Sequence, residues 1–208
     1  MQNGFFSLSE SQGVLILRLV SSDQTNLLSR DRILALTRLL SELSKHPMPL
    51  VIAGNQRFFS AGADLSEIQA LNAPAALEFS RIGRELMNSL EKYAAPVYAA
   101  ISGYCMGGGL DLALACHRRV AAPGAVFGHR GAALGLITGW GGTQRLPRII
   151  GKSFALQMFI CAASVDAARA LEIGLVDSSA PDPVAEAVRR ISIPNGGSHR
   201  RSTRRSGV

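Results

Sequence analysis

Two short apolar runs, PLVIAG at 49–54 and APVYAAIS at 95–102, each meet a glycine and then pass toward a segment with helical spacing. Apolar runs this short, with no polar alternation, belong to strands buried on both faces. GVLILRLV at 13–20 alternates as a strand does, and GAVFGH at 124–129 reads as another short strand. Between and beyond these lie helical patterns. Residues 29–46 carry Ile33, Leu36, Leu39, Leu40 and Leu43 on one face, with Ser29 placed as N-cap. Residues 75–93, 152–160 and 166–173 read as further helices. Strands that alternate with helices in this way predict an α/β architecture.

The length of 208 residues suits one domain, and 47% hydrophobic with 18% charged residues places the chain among globular enzymes. Its net charge of +7 is unevenly spread. Residues 189–208, RRISIPNGGSHRRSTRRSGV, hold six of the 22 basic residues and none of the 15 acidic ones, which leaves 16 against 15 over residues 1–188. The chain therefore divides into a domain, 1–188, and a basic tail, 189–208, whose Arg, Ser and Gly content predicts disorder. A nucleic-acid arm would interleave aromatics with its arginines, and this tail has none, so no nucleic-acid partner is expected. No apolar run approaches the roughly 18 residues of a membrane span. MQNGFFSLSE lacks the basic start and apolar core of a signal peptide, and Cys105, Cys116 and Cys161 form no CxxC pair. The expectation is a cytoplasmic protein with core-packing free thiols, no metal and no membrane partner.

YCMGGGLDLALAC, 104–116, is the stretch that raises a chemical question. Gly107, Gly108 and Gly109 lead from the strand at 95–102 into an apolar helix with Asp111 in its first turn. A helix start leaves backbone N–H groups without partners, and glycines there let a ligand oxygen come close. A tight strand-to-helix turn, with Asp111 only steadying the helix start, explains the same residues. No Gly-Lys-Ser/Thr follows, so this is not a phosphate loop, and the third glycine of a dinucleotide fingerprint is missing. GNQRFFSAGADLSEI, 54–68, repeats the arrangement: a buried strand, small residues, then a helix near Asp64, which is placed to cap it. Two such turns can supply the paired N–H groups of an oxyanion hole.

FFSAGADL, AAISGYCMGGGLDLALACHRRVAA and FGHRGAALGLITGWGGTQRLPRIIG together resemble the signature segments of the crotonase (enoyl-CoA hydratase/isomerase) superfamily, over roughly residues 13–180. The resemblance implies a spiral of ββα units and an acyl-CoA thioester substrate, with coenzyme A arriving as part of the substrate and no separate cofactor. It implies oxyanion donors at Ala63 and Gly108 and a proton-handling carboxylate at Asp111. Ala61, Asp64, Leu65, Gly107, Gly131 and Trp140 are the implied substrate neighbours. Homotrimers, or hexamers made of two trimers, are the implied assembly.

Three departures from the family pattern shape the expected function. Family hydratases have Glu where this chain has Asp111, and a second Glu where it has Gly131. His129 stands beside that gap, either as a replacement acid/base or as a backbone partner at a strand end. Arg130 either holds an anion there or is solvated. Past LEIGLVD the chain soon turns into the Arg/Ser tail, which reads as a truncation that removes helices over the site and between subunits. A weakened trimer and an exposed apolar patch are expected from that. The expected activity is enoyl-CoA hydratase or isomerase chemistry, through a stabilised enolate and with a modified acid/base set. A non-catalytic acyl-CoA binder, or an inactive fragment, is the alternative.

Overall fold

The computed structural model describes residues 4–193; most of the basic tail, 194–208, lies outside the described residues, as do 1–3. A hairpin, β1 (Phe6–Ser11) and β2 (Val14–Leu19), is followed by α1 (Arg30–Leu43). One unit then recurs: a strand, a sharp turn, a three-residue strand and a helix. Its first copy is β3 (Leu50–Ala53), β4 (Phe58–Ser60) and the helices α2 (Leu65–Gln69) and α3 (Ala73–Glu91). The second is β5 (Val97–Ile101), β6 (Tyr104–Met106) and α4 (Gly108–Ala115). The third is β7 (Arg118–Ala121), β8 (Val126–Gly128), a 3₁₀ turn (Arg130–Leu134) and α5 (Gly142–Ile150). The remainder is α6 (Lys152–Ile160), β9 (Ser164–Asp166), α7 (Ala167–Glu172), β10 (Ser178–Ser179) and α8 (Pro183–Ser192).

Each unit places its first strand in one sheet and its second in another, which makes the chain a ββα spiral. The larger sheet has the order β1-β2-β3-β5-β7-β10, and the smaller one β4-β6-β8-β9. From β2 onward the larger sheet is parallel, with Val51 opposite Tyr98 and Ala100 opposite Val120. Burial on both faces explains the unbroken apolar runs. One face of the larger sheet, including Val14, Val51, Ala53, Ala100 and Val120, packs under Ala187 and Val188 of α8. Its other face joins the main core, where Leu17, Leu50, Leu86, Met87, Leu110 and Phe127 are fully buried.

Local signals set the element ends. Ser29 caps α1 by accepting from Arg32 N at 3.3 Å, and Asn72 caps α3 by accepting from Ala75 N at 3.0 Å. Gly103 makes the turn between β5 and β6 at φ +59°, and a Cβ there would come within 2.8 Å of the Gln56 carbonyl. The turns of successive units therefore nest against one another. Two expectations are revised. Helix α8 runs to Ser192, so Arg189 and Arg190 belong to its last turn and pair with Glu186 at 2.8 and 2.6 Å. Cys105 and Cys116 are core residues, whereas Cys161, just past the end of α6, is exposed.

Candidate active site

Two strand-to-helix passages meet on the smaller sheet. From β4 the chain goes through Ala61, Gly62 and Ala63 into α2; from β6 it goes through Gly107 into α4. Gly62 has φ +103°, and a Cβ on it would lie 2.7 Å from Met106 O and 3.2 Å from Gly108 N. The two turns touch. The first is pinned from outside by Ala61 N to Thr25 O at 2.9 Å and by Leu28 N to Gly62 O at 2.8 Å. Ser60 Oγ donates to Asn26 O at 2.8 Å and accepts from Gly62 N at 3.1 Å, which fixes the turn from within. Among the described residues no acceptor faces Ala63 N, and Gly108 N opens a helix, where the N–H has no intrahelical partner.

The three glycines have three separate reasons. Gly107 takes φ +50°, a conformation side chains disfavour. Gly109 sits against β4, where a Cβ would be 2.6 Å from Ser60 O. At Gly108 the missing side chain is replaced by the indole of Trp140, which occupies the space a Cβ would need. The close approach at Gly108 thus accommodates a protein ring and leaves the N–H on the cleft side.

Asp111 is fully buried in α4, among Leu110, Leu112 and Leu114. A charge there needs partners, and it has them. Its Oδ1 lies 3.0 Å from His129 Nε2, and its Oδ2 accepts from Thr138 Oγ1. An ionised carboxylate only accepts, so this contact with the ionised form takes its hydrogen from His129 Nε2. Gly142, the first residue of α5, is packed so tightly on Oδ1 that a Cβ would collide with it. The partial positive charge of that helix start favours the anion. His129 is itself buried, its ring 5.0 Å from that of Phe159.

A cleft of about 320 Å³ runs over these groups. Ala61, Ala63, Leu65, Gly107, Gly108, Asp111, His129, Gly131 and Trp140 all line it. Asp64 does not: its carboxylate turns away to cap α2, accepting from Ser66 N at 2.9 Å. The Ser66 hydroxyl, at 2.6 Å, holds that carboxyl below the usual carboxylate range. Gly131 lies in the 3₁₀ turn, where a Cβ would be 2.7 Å from Leu136 O. A side chain at this position would press on that carbonyl. Arg130 lines the cleft and is exposed. Thr138, Gly142 and Phe159 escaped the sequence reading, because they reach Asp111 and His129 only through the packing of α5 on α4, of α6 on the 3₁₀ turn, and of the loop that enters α5.

A larger cleft, about 540 Å³, lies at the carboxyl ends of the larger sheet's strands, beside α8. Its one carboxylate, Asp182, is committed to Val184 N and Ala185 N at 3.0 Å each, and no acid/base pair faces it. Among the described residues no group of three or more His, Cys, Asp or Glu is arranged to hold a metal, and no helix is long and apolar enough to cross a membrane.

A ββα spiral that brings two glycine-rich turns and one buried carboxylate to a single apolar cleft defines a protein of the crotonase superfamily. The chain belongs to the enoyl-CoA hydratase/isomerase family, whose model matches residues 9–192. It is 34% identical to crotonyl-CoA hydratase of Syntrophomonas wolfei over 189 residues, covering 89% of this chain and 73% of that protein. It is 43% identical over 138 residues to the fatty acid oxidation complex subunit alpha of Shewanella halifaxensis, covering 65% of this chain but only 20% of that relative. Among solved structures, Pseudomonas aeruginosa DspI superposes with a TM-score of 0.87 at 32% identity, over 92% of this chain and 75% of that one. The enoyl-CoA hydratase of Bacillus anthracis superposes with a TM-score of 0.84 at 32% identity, over 90% and 76%.

Proposed function

We propose that the cleft binds a 2-enoyl-CoA thioester and moves a proton on its acyl chain, with Ala63 N–H and Gly108 N–H stabilising the enolate. Asp111 is the proton-handling group, and His129 and Thr138 hold it. The single observation that carries this reading is the clamped, buried Asp111 carboxylate beside two touching turns. One oxyanion donor of this kind contributes about 3 kcal/mol in the transition state. Each carboxylate oxygen accepts more than one hydrogen bond, so His129 and Thr138 leave Asp111 able to take a proton. With no carboxylate at 131, the site favours proton shifts, or slow hydration, over the hydration of a two-glutamate enzyme. The three free cysteines suit a reducing, cytoplasmic setting. Leu156 and Ile160 of α6, 54% and 69% exposed, form an apolar face that supports self-association, in an assembly weaker than the trimers the family resemblance implies.

The occupied oxygens of Asp111 also favour a second reading, a binder without turnover. Crotonyl-CoA assays on the parent and on Asp111→Asn separate the two. Turnover that falls by about 10²-fold or more in the variant, with binding retained, is expected. Equal turnover in both proteins removes Asp111 from the chemistry. Tight binding with no turnover in the parent favours the binder.

A further inference from the structure

The chain has one tryptophan, Trp140, and it lines the cleft. Trp140 is 4% exposed, wedged between α3 and α4. Its ring fills the space that side chains at Gly83 of α3 and Gly108 of α4 would need. Nε1 donates to Phe79 O at 3.3 Å, and the ring centroids of Trp140 and Phe79 are 5.4 Å apart. The backbone is fixed as well. Trp140 N donates to Thr138 Oγ1 at 3.3 Å, Arg145 Nη1 donates to Trp140 O at 3.1 Å, and Ser80 Oγ donates to the neighbouring Gly139 O at 3.0 Å. Arg145 is held in turn by Glu91 at 2.7 Å and Asn88 at 2.8 Å. A ring tied at its nitrogen and through its backbone is a wall and does not swing.

We propose that Trp140 sets the length of acyl group the cleft accepts, closing it to long chains; this rests on the acyl-CoA reading of the site. The indole touches Gly108, whose N–H faces the thioester carbonyl, so the first carbons beyond the carbonyl run along its edge. Behind the ring stand Gly83 and the Phe79 carbonyl. Removing the indole opens a slot between α3 and α4 bounded by two glycines. Gly83 does not line the cleft, yet a methyl there would collide with the ring.

The test is the binding of unreactive saturated thioesters, butanoyl-CoA and dodecanoyl-CoA, by calorimetry. Trp140 fluorescence gives a second readout in the parent. The parent is expected to favour butanoyl-CoA and to change its emission on binding. Trp140→Ala should shift the ratio toward dodecanoyl-CoA by about tenfold or more, a size that pocket shape can impose. Trp140→Phe, which keeps the fold if the smaller side chain does not, should fall between. Gly83→Ala should weaken butanoyl-CoA binding, and Gly83→Ala with Trp140→Ala should return to the behaviour of Trp140→Ala alone. A ratio unchanged in both Trp140 variants, or equal binding of both thioesters by the parent, overturns the proposal and leaves the acyl-CoA reading standing. No binding of either thioester to any of these proteins overturns both.

Discussion

In the sequence Asp111 is a carboxylate at an apolar helix start, which steadying that helix explains as well as chemistry does, and only the family resemblance gives it a proton-handling role. What surrounds it was not legible. Thr138 is 27 positions away and His129 is 18, and neither spacing carries a signal. His129 could be named only as the titratable neighbour of a gap; packing makes it a partner of Asp111. Gly131 read as a missing acid, whereas the carbonyl of Leu136 makes it a position with little room for any side chain. Thr138→Val tests the clamp. Valine keeps the branched shape and deletes the donor to Oδ2, leaving a buried carboxylate oxygen short of one bond. A stability loss of about 1–3 kcal/mol by urea unfolding is expected. Turnover should drop while KM stays nearly unchanged, because the loss falls on a proton-handling group. Thr138→Ser, which restores the hydroxyl, should recover both. A Thr138→Val protein as stable and as active as the parent would show that the hydroxyl does not hold Asp111.

At the scale of elements, α1, α3, α6, α7 and the strands β2, β3 and β5 of the larger sheet followed from periodicity and buried runs, while β7 and β10 did not. The smaller sheet mostly did not. FFS and YCM are three-residue strands, too short to show alternation, and they register only through their pairing with each other. Helix α5 was hidden by Pro147 inside it and by the glycines at its start. Yet the proposed site rests on these less legible elements, since the turns that follow β4 and β6 and lead to Ala63 and Gly108 touch. Ala63→Pro addresses the first turn directly. Proline has no N–H, while the bonds that pin the turn, Ala61 N to Thr25 O and Leu28 N to Gly62 O, do not use the Ala63 amide. The folded variant should lose most turnover. It should also lose the absorbance shift of a bound aromatic acyl-CoA, which reports polarisation of the thioester carbonyl. An unchanged shift would take Ala63 out of the oxyanion hole.

Across the whole molecule, the cysteines report how firmly the layer bearing the cleft is packed. Cys105 lies on β6 and Cys116 ends α4, so both flank the helix that carries Asp111, and both are buried. Burial raises the Cys105 thiol well above its usual range and pushes Cys116 up to about 12. Near pH 8 these two are therefore protonated as well as inaccessible, and the thiolate is the reactive form. Cys161 is exposed. A thiol reagent under native conditions should thus label one cysteine rapidly, identified as Cys161 by peptide mass, and all three after denaturation. Intermediate urea concentrations make the measurement diagnostic. If the ββα spiral opens as one unit, Cys105 and Cys116 become reactive together, at the midpoint seen by Trp140 fluorescence, because both probes sit on the packing of α4. Labelling of Cys116 well before that midpoint would show that the end of α4 frays independently. The rigid frame assigned to Asp111 and Trp140 would then have to rest on α3 and α5 alone.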